Sequence, residues 1–440
     1  MAKTFRPWDV EQTWLLPPSV QELVPPQHPA HLVREIVRTQ LDLRAIFAAY
    51  DEERGYPPYH PTMMTALLLY GYTQGLFSSR KLAKACEERL DVMAVTAMQK
   101  PDYRTIGKFR RRHLDALGAL FVQVLKLCSR AGLVRLGHVA LDGTKVKANA
   151  SKHKAMSYKR MRETEARLRE EVASWFQRAE AEDTTEEAEH GDRRGDEMPD
   201  WVANKLERLA KIEDAKAALE AEAREEAARR TDRDDDDPPP PRPKHHVDGT
   251  PSDDSQRNFT DPESRIVKTR DGYVQGYNAQ AAVDGERQVI VATEVYAAQN
   301  DVEFLDEMLA QIRANTGRQA RELSADYGYL SDANLVACAR RHVVPYIATG
   351  RLRHSDGKPK ESRRTWPVGS RIHAMEQKLR RAGRRSRYRL RKQIVEPVFG
   401  QIKAALGFGR FLLRGLAKVR GEWRLVATAH NLRKLLAAAA

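Results

Sequence analysis

The chain has 440 residues, 41% of them hydrophobic, enough for two or three domains with cores of their own, which excludes a peptide, a fibre or a wholly disordered chain. Seventy-five Lys and Arg against 61 Asp and Glu leave a net charge of +14, which favours a polyanionic partner, nucleic acid first, over small acidic substrates. Three isolated cysteines, Cys86, Cys128 and Cys338, exclude a disulfide framework and a cysteine-rich zinc site, and point to a reducing, cytosolic compartment.

The amino terminus lacks the apolar core of a signal peptide, and no stretch reaches the roughly 18 apolar residues of a membrane span. The charge is unevenly distributed. Residues 350–440 hold 24 basic and five acidic side chains, whereas residues 151–265 hold 22 basic and 31 acidic ones. Basic ends therefore enclose an acidic insert.

In chain order, the first 135 residues read as helical. From Tyr103, apolar Ile106, Phe109, Leu117, Leu120, Val124 and Leu127 recur at helical steps and predict one long amphipathic helix, stopped at Ala131-Gly132. Its other face carries Arg104, Lys108, Arg111 and Arg112, a cationic stripe for solvent or for phosphate. His138 to Asp142 reads as a strand that Asp142 closes, followed by Gly143-Thr144.

Between Ser157 and Arg230 two apolar seams, Met161 to Trp175 and Val202 to Leu219, flank a polar stretch from Thr184 to Asp200 and predict a helical hairpin. Asp234 to Asp237 and Pro238 to Pro241 then predict an extended linker reaching about Thr260, a solvated acidic tract in preference to a metal site. Beyond it, Tyr273–Val283 and Gln288–Tyr296 form a predicted antiparallel hairpin. A helix (Asp301–Ala314), a strand (Ala320–Asp326), a helix (Ser331–Arg341), a short strand (Val343–Ala348) and a further helix follow. This order describes a mixed sheet with helices, an α/β arrangement.

No P-loop, GxGxxG, GxSxG elbow or HExxH occurs, which removes most support for ATP, dinucleotide and serine-hydrolase chemistry. Cys338 and His342 stand one turn apart, but core packing is the plainer role for them. The chemistry left is that of carboxylates. Asp142 and Asp326 stand at strand ends, although each could also serve a turn or a helix cap. The third, Glu396, is one of five acids in the basic carboxyl-terminal quarter. On a helix it would share a face with Tyr388, Lys392, Phe399 and Lys403, with Pro397 predicting a kink or a helix start. A salt bridge to Lys392 is its structural alternative. Three carboxylates so placed suit Mg²⁺, and two such ions about 3.5–4 Å apart could activate a water or sugar hydroxyl at a phosphodiester.

At these residues the chain resembles the DDE transposases of bacterial insertion sequences. The resemblance rests on Asp142-Gly143-Thr144, Asp271 to Gln280, Ala325-Asp326-Tyr327-Gly328-Tyr329, Val395 to Gly400 and His430-Asn431-Leu432-Arg433, five blocks in the family's order, and on a helical amino-terminal region similar to the InsH type. It implies a ribonuclease H-like mixed sheet with flanking helices, interrupted by the helical-hairpin insert, plus an all-α amino-terminal domain. The implied organisation is residues 1–135 for DNA binding, residues 136–150 with 266–440 for catalysis, and residues 151–265 as the insert.

The resemblance also implies Asp142, Asp326 and Glu396 as the catalytic and metal-binding triad, with two Mg²⁺ ions and Mn²⁺ as a substitute. Tyr388, Arg391, Glu396 and Lys403 match the signature of the family's last helix, with one residue more between Arg391 and Glu396 and with Lys392 standing where the signature has Arg. Tyr388, Arg391, Lys392 and Lys403 are thus DNA-binding candidates, beside Arg104, Lys108, Arg111 and Arg112 of the stripe. The implied partners are double-stranded DNA, as transposon ends and as target, and further copies of the chain on that DNA, in the cytoplasm at the nucleoid. A non-catalytic DNA-binding regulator and a metal-dependent nuclease without strand transfer are the competing readings.

Overall fold

The computed structural model describes residues 19–50, 57–190, 200–230, 246, 248–269, 272–297, 301–350 and 366–439. Among the described residues seven helices come first: α1 (Pro29–Thr39), α2 (Arg44–Phe47), α3 (Pro61–Thr73), α4 (Ser79–Glu88), α5 (Leu90–Thr96), α6 (Tyr103–Arg112) and α7 (Leu114–Arg130). α1 and α3 each start on a Pro whose missing N–H is no loss there, and the preceding His28 and His60 accept the next free amide at 3.3 Å. α3 is buried on all sides and forms the centre of this helical part.

The single helix expected from Tyr103 onward is two. His113 leaves helical geometry (φ −108°, ψ 20°), and its ring stacks on Tyr50 at 5.3 Å with a nitrogen 3.1 Å from the Tyr50 hydroxyl. A contact 63 residues away in the chain outweighs the apolar periodicity at that residue. The stop is as expected: α7 ends at Arg130 and Gly132 takes φ 74°.

The sheet consists of β1 (His138–Lys147), β4 (Arg265–Thr269), β5 (Gly272–Asp284), β6 (Ile290–Tyr296), β7 (Glu322–Ala325) and β8 (Val344–Ile347). β2 (Ala155–Ser157) and β3 (Gln256–Asn258) form a separate pair. β5 runs antiparallel to β1, β4 and β6, while β7 and β8 continue from β1 in parallel. Gly276 pairs with both Lys147 and Arg265, so β4 and β1 flank opposite edges of β5. The result is a mixed sheet with flanking helices of the ribonuclease H-like kind. β4 was not expected, since the residue pattern predicts regular structure after the linker only from Tyr273 onward.

The remaining helices are α8 (Tyr158–His190), α9 (Asp200–Arg230), α10 (Leu305–Thr316), α11 (Asp332–Arg340), α12 (Arg371–Ala382), α13 (Leu390–Gly400) and α14 (Leu416–Ala439). α14 packs against α7, α3 and β6 and so ties the helical part to the sheet. Its Asn431 both accepts from the Ile290 amide (2.9 Å) and donates to the Ile290 carbonyl (2.8 Å), acting on β6 as a strand neighbour would.

α8 and α9 close on a small core of Tyr158, Met161, Leu168, Ile212, Ala215 and Leu219, as the two seams predict. The linker is shorter than expected. Asp234 to Pro241 lie outside the described residues, but Gln256–Asn258 already pairs with Ala155–Ser157 and closes the base of the hairpin. Asn258 holds that return in place, accepting the amides of Thr260 and Asp261. No described helix is long and apolar enough to cross a membrane.

Candidate active site

The site is built where the sheet's two halves stop matching in length. β1 pairs with β7 only over His138–Ala140, while its pairing with β5 continues to Lys147. Asp142, expected to close the strand, is instead within it, but it lies just past the point where β7 ceases to cover that edge. Asp326 follows the last residue of β7 and caps the turn Tyr327–Tyr329, accepting the Gly328 amide at 2.8 Å. Two acids on neighbouring strands thus meet at one opening.

The third acid comes from α13, which packs on β1, β5 and β7. This helix passes through Pro397 without starting there. The carbonyl of Gln393, deprived of its helical donor by Pro397, accepts Gln288 Nε2 at 3.0 Å, and a π turn (Gln401–Ala405) follows. Arg391 bridges the cluster: one guanidinium nitrogen donates to Asp142 and the other stands 3.4 Å from Glu396. The Glu396 side chain is 49% exposed and that of Asp142 15%, so Glu396 forms the open side.

Electrostatics mark the cluster as cation-seeking. Burial pushes the Asp142 carboxyl up to about 7; Arg391 opposes the shift, and Asp326 and Asp301 reinforce it. Asp326 is raised by burial and next by Asp301. Lys145, three residues along β1 from Asp142, is pulled down by burial although all three acids oppose that. Asp142, Asp326, Asp301 and Glu396 face Arg391 and Lys145, so the cluster is short of positive charge.

Not all candidates converge. Tyr388 is half-buried beside Arg391 and is raised by burial. Lys403 donates to the Lys145 carbonyl at 2.7 Å, bracing β1 from the π turn. Lys392, placed by helical spacing beside Glu396, is exposed, and Arg391 meets the acids instead. The extra residue before Glu396 puts Arg391 and Glu396 on different sides of α13, and the length of the Arg side chain spans the gap. Arg104, Lys108, Arg111 and Arg112 are exposed on α6, which packs on α4 and α7. Cys338 is core: it is buried and its thiol is pushed up to about 12.

Sequence reasoning missed Asp301. Its Oδ1 accepts Asn278 Nδ2 at 2.6 Å and Gln280 Nε2 at 2.8 Å, both from β5, and the Tyr329 hydroxyl donates to Gln280 Oε1. A Cβ on Gly143 would stand 2.3 Å from Gln280 Nε2 and 2.8 Å from Asn278 Oδ1, so the residue after Asp142 has no space for a side chain. The alternating polar pair Asn278 and Gln280 inside a buried strand was the available signal.

Among the described residues no three His, Cys, Asp or Glu side chains already close on one point as a metal site. Arg391 is the reason for Glu396, since it stands between that residue and Asp142. The donors are nonetheless hard carboxylate oxygens crowded with too little positive charge, which is the set a divalent cation takes.

The model of a "Transposase domain (DUF772)" matches residues 18–112, and that of a "Transposase DDE domain" matches residues 246–432. Neither a curated protein nor a solved structure matches the chain. Asp142 lies between the two matched stretches, on the strand that the fold sets beside Asp326. With both transposase models in order over well over half of its 440 residues, around a mixed sheet of the ribonuclease H-like kind, the chain belongs to the DDE transposases of insertion sequences.

Proposed function

We propose that this transposase cuts a phosphodiester at the terminal inverted repeats of its element and joins the freed 3′ end to target DNA, with Asp142, Asp326 and Glu396 as the catalytic, cation-holding acids. The observation that carries this reading is the approach of half-buried Asp142 on β1 and Asp326 just after β7, with Arg391 linking Asp142 to Glu396. DDE transposases generally use divalent metal ions. Two Mg²⁺ ions, or Mn²⁺ in their place, would supply Lewis acidity for an attacking water or 3′-hydroxyl and for the leaving oxygen.

The chain's own groups have separate tasks. Asp142 and Asp326 are preset by the sheet, and Glu396 completes the donor set once Arg391 turns from the acids to a DNA phosphate, to which its planar fork is suited. Tyr388 lies against that guanidinium and guides its swing. Lys403 keeps the Asp142 strand in place through the Lys145 carbonyl, and Lys392, exposed on the same helix, meets the DNA backbone. Water or hydroxyl oxygen attacks phosphorus and gives up its proton to solvent, while the bond to the 3′ oxygen, or to its equivalent in the target, breaks and that oxygen takes a proton from solvent, without a covalent enzyme intermediate.

In this reading residues 1–135 recognise the repeats through Arg104, Lys108, Arg111 and Arg112, residues 136–150 with 266–440 do the chemistry, and residues 151–265 are an insert. Duplex DNA is the partner, copies of the chain assemble on it, and the nucleoid is the place of work. The test is labelled transposon-end DNA incubated with Mg²⁺ and the protein. Cut ends together with joined products are expected. Cut ends alone point to a nuclease, and binding without cutting, unchanged in Asp142→Asn, Asp326→Asn and Glu396→Gln, points to a regulator.

A further inference from the structure

We infer that Asp301 is a fourth acid of this site, a positioning residue that acts through Asp326 and raises the site's affinity for divalent cations. The inference rests on the cation-dependent reading above. Asp301 precedes α10 and belongs to no element that carries the triad, yet two side-chain amides from β5 fix its Oδ1 at 2.6 and 2.8 Å. The clamp is itself oriented: the Tyr329 hydroxyl engages Gln280 Oε1, which leaves the Gln280 NH₂ group for Asp301. Tyr329 and Gln280 are fully buried, and Asn278 nearly so.

With Oδ1 occupied, Oδ2 borders the space beside Gly328 that Asp326 also lines. A Cβ built on Gly328 would lie 3.0 Å from Asp326 Oδ1 and 3.2 Å from Asp301 Oδ2, so the two oxygens border the same small space. Holding two carboxylates this close is unfavourable unless positive charge answers them. Lys145 answers in part, since both acids act on it. A merely structural Asp in this place would be better replaced by Asn, which accepts the same two amide bonds without repelling Asp326. The extra charge is instead concentrated where a cation would sit, and it raises affinity without Asp301 touching the reacting atoms.

The test uses the full chain and Mn²⁺ alone as probe, with bound and free ion counted by electron paramagnetic resonance. Asp301→Asn keeps the acceptor for both amides and removes the charge. It is expected to weaken Mn²⁺ binding about tenfold, to leave the thermal midpoint without metal unchanged or raised, and to lose joining activity at low Mg²⁺ that returns at high Mg²⁺. Asp326→Asn is the reference. If Asp326→Asn loses Mn²⁺ and Asp301→Asn binds it like the parent, the inference on Asp301 is overturned while the cation reading stands. If neither changes binding, the cation reading fails and takes this inference with it. Should Asp301→Asn not fold, Gly328→Ala serves instead: its methyl would enter the space between the two oxygens, weaker Mn²⁺ binding is expected, and parental binding would overturn the inference.

Discussion

Among the described residues two carboxyls are pushed up to about 7 by burial, Asp142 on β1 and Glu422 on α14, and their surroundings differ. Glu422 is fully enclosed: the amides of Leu412 and Leu413 donate to it at 3.0–3.1 Å, and the charge that acts on it is Arg110, itself bonded to the Tyr72 hydroxyl and the Phe77 carbonyl. Asp142 has Asp326 and Asp301 as neighbours of its own sign, and its countercharge is a long Arg side chain shared with a half-exposed Glu. A displaced pKa therefore does not identify a working site. What separates the two is whether the surrounding groups complete the carboxylate or leave it short of positive charge next to solvent.

That distinction can be broken first at the acids. Asp142→Asn, Asp326→Asn and Glu396→Gln should each lower cutting and joining by at least about a hundredfold, the loss of some 3 kcal/mol of charge stabilisation, while folding is preserved or improved because like-charge repulsion is relieved. A gel assay beside thermal unfolding checks both halves, and full activity in any of the three would remove that acid from the site.

Glu422 should respond in stability alone. Its proton is bound more tightly in the fold, at about 7, than in the unfolded chain, at 4.5. Its contribution to stability is thus fully present below pH 4.5 and is lost as pH rises to about 7, by roughly 3 kcal/mol. Glu422→Gln, which retains an acceptor for the Leu412 and Leu413 amides, should remove that slope, so parent and variant diverge across this window in denaturant unfolding. Parallel profiles would mean that Glu422 carries no such burden.

Much of the frame is legible in the residue pattern. The hairpin Tyr273–Tyr296, the strand before Asp326 and the two seams of the insert are long periodic or strongly β-branched runs, and they form the expected elements. Misreadings occur where a single long-range contact outweighs local preference. His113 breaks a periodic helix to stack on Tyr50; Pro397 is tolerated inside α13 because Gln288, from another element, serves the carbonyl it orphans. The site divides the same way. Acids beside strand edges can be found from pattern, but the choice of Arg391 over Lys392 depends on the side chain's reach, and Asp301 depends on two amides that meet it only in the folded sheet.

Between catalysis and stability stands Gly143. Gly143→Ala would press a methyl on Gln280 and Asn278, the clamp of Asp301, and overpacking of this kind typically destabilises by about 1–3 kcal/mol. Thermal unfolding should show that loss together with weaker Mn²⁺ binding. Loss of stability with unchanged binding would separate the clamp from the acids.

The smallest effects are expected on α6, and they sort the four exposed cations of its stripe. Arg112 is already engaged, its guanidinium 5.1 Å over the Tyr50 ring and bonded to the Ala49 carbonyl, and Arg104 leans on the neighbouring Tyr103 ring at 5.7 Å. Lys108 and Arg111 project from the exposed side of the helix. If the stripe holds phosphates, Lys108→Gln and Arg111→Gln should each reduce the slope of log affinity against log salt for repeat DNA by about 1, alike for unrelated sequences. Arg112→Gln should move that slope less and lower the thermal midpoint more, because it removes a packed ring contact and a carbonyl bond. An unchanged slope in all three would make the stripe a solvated surface and move repeat recognition elsewhere in the chain.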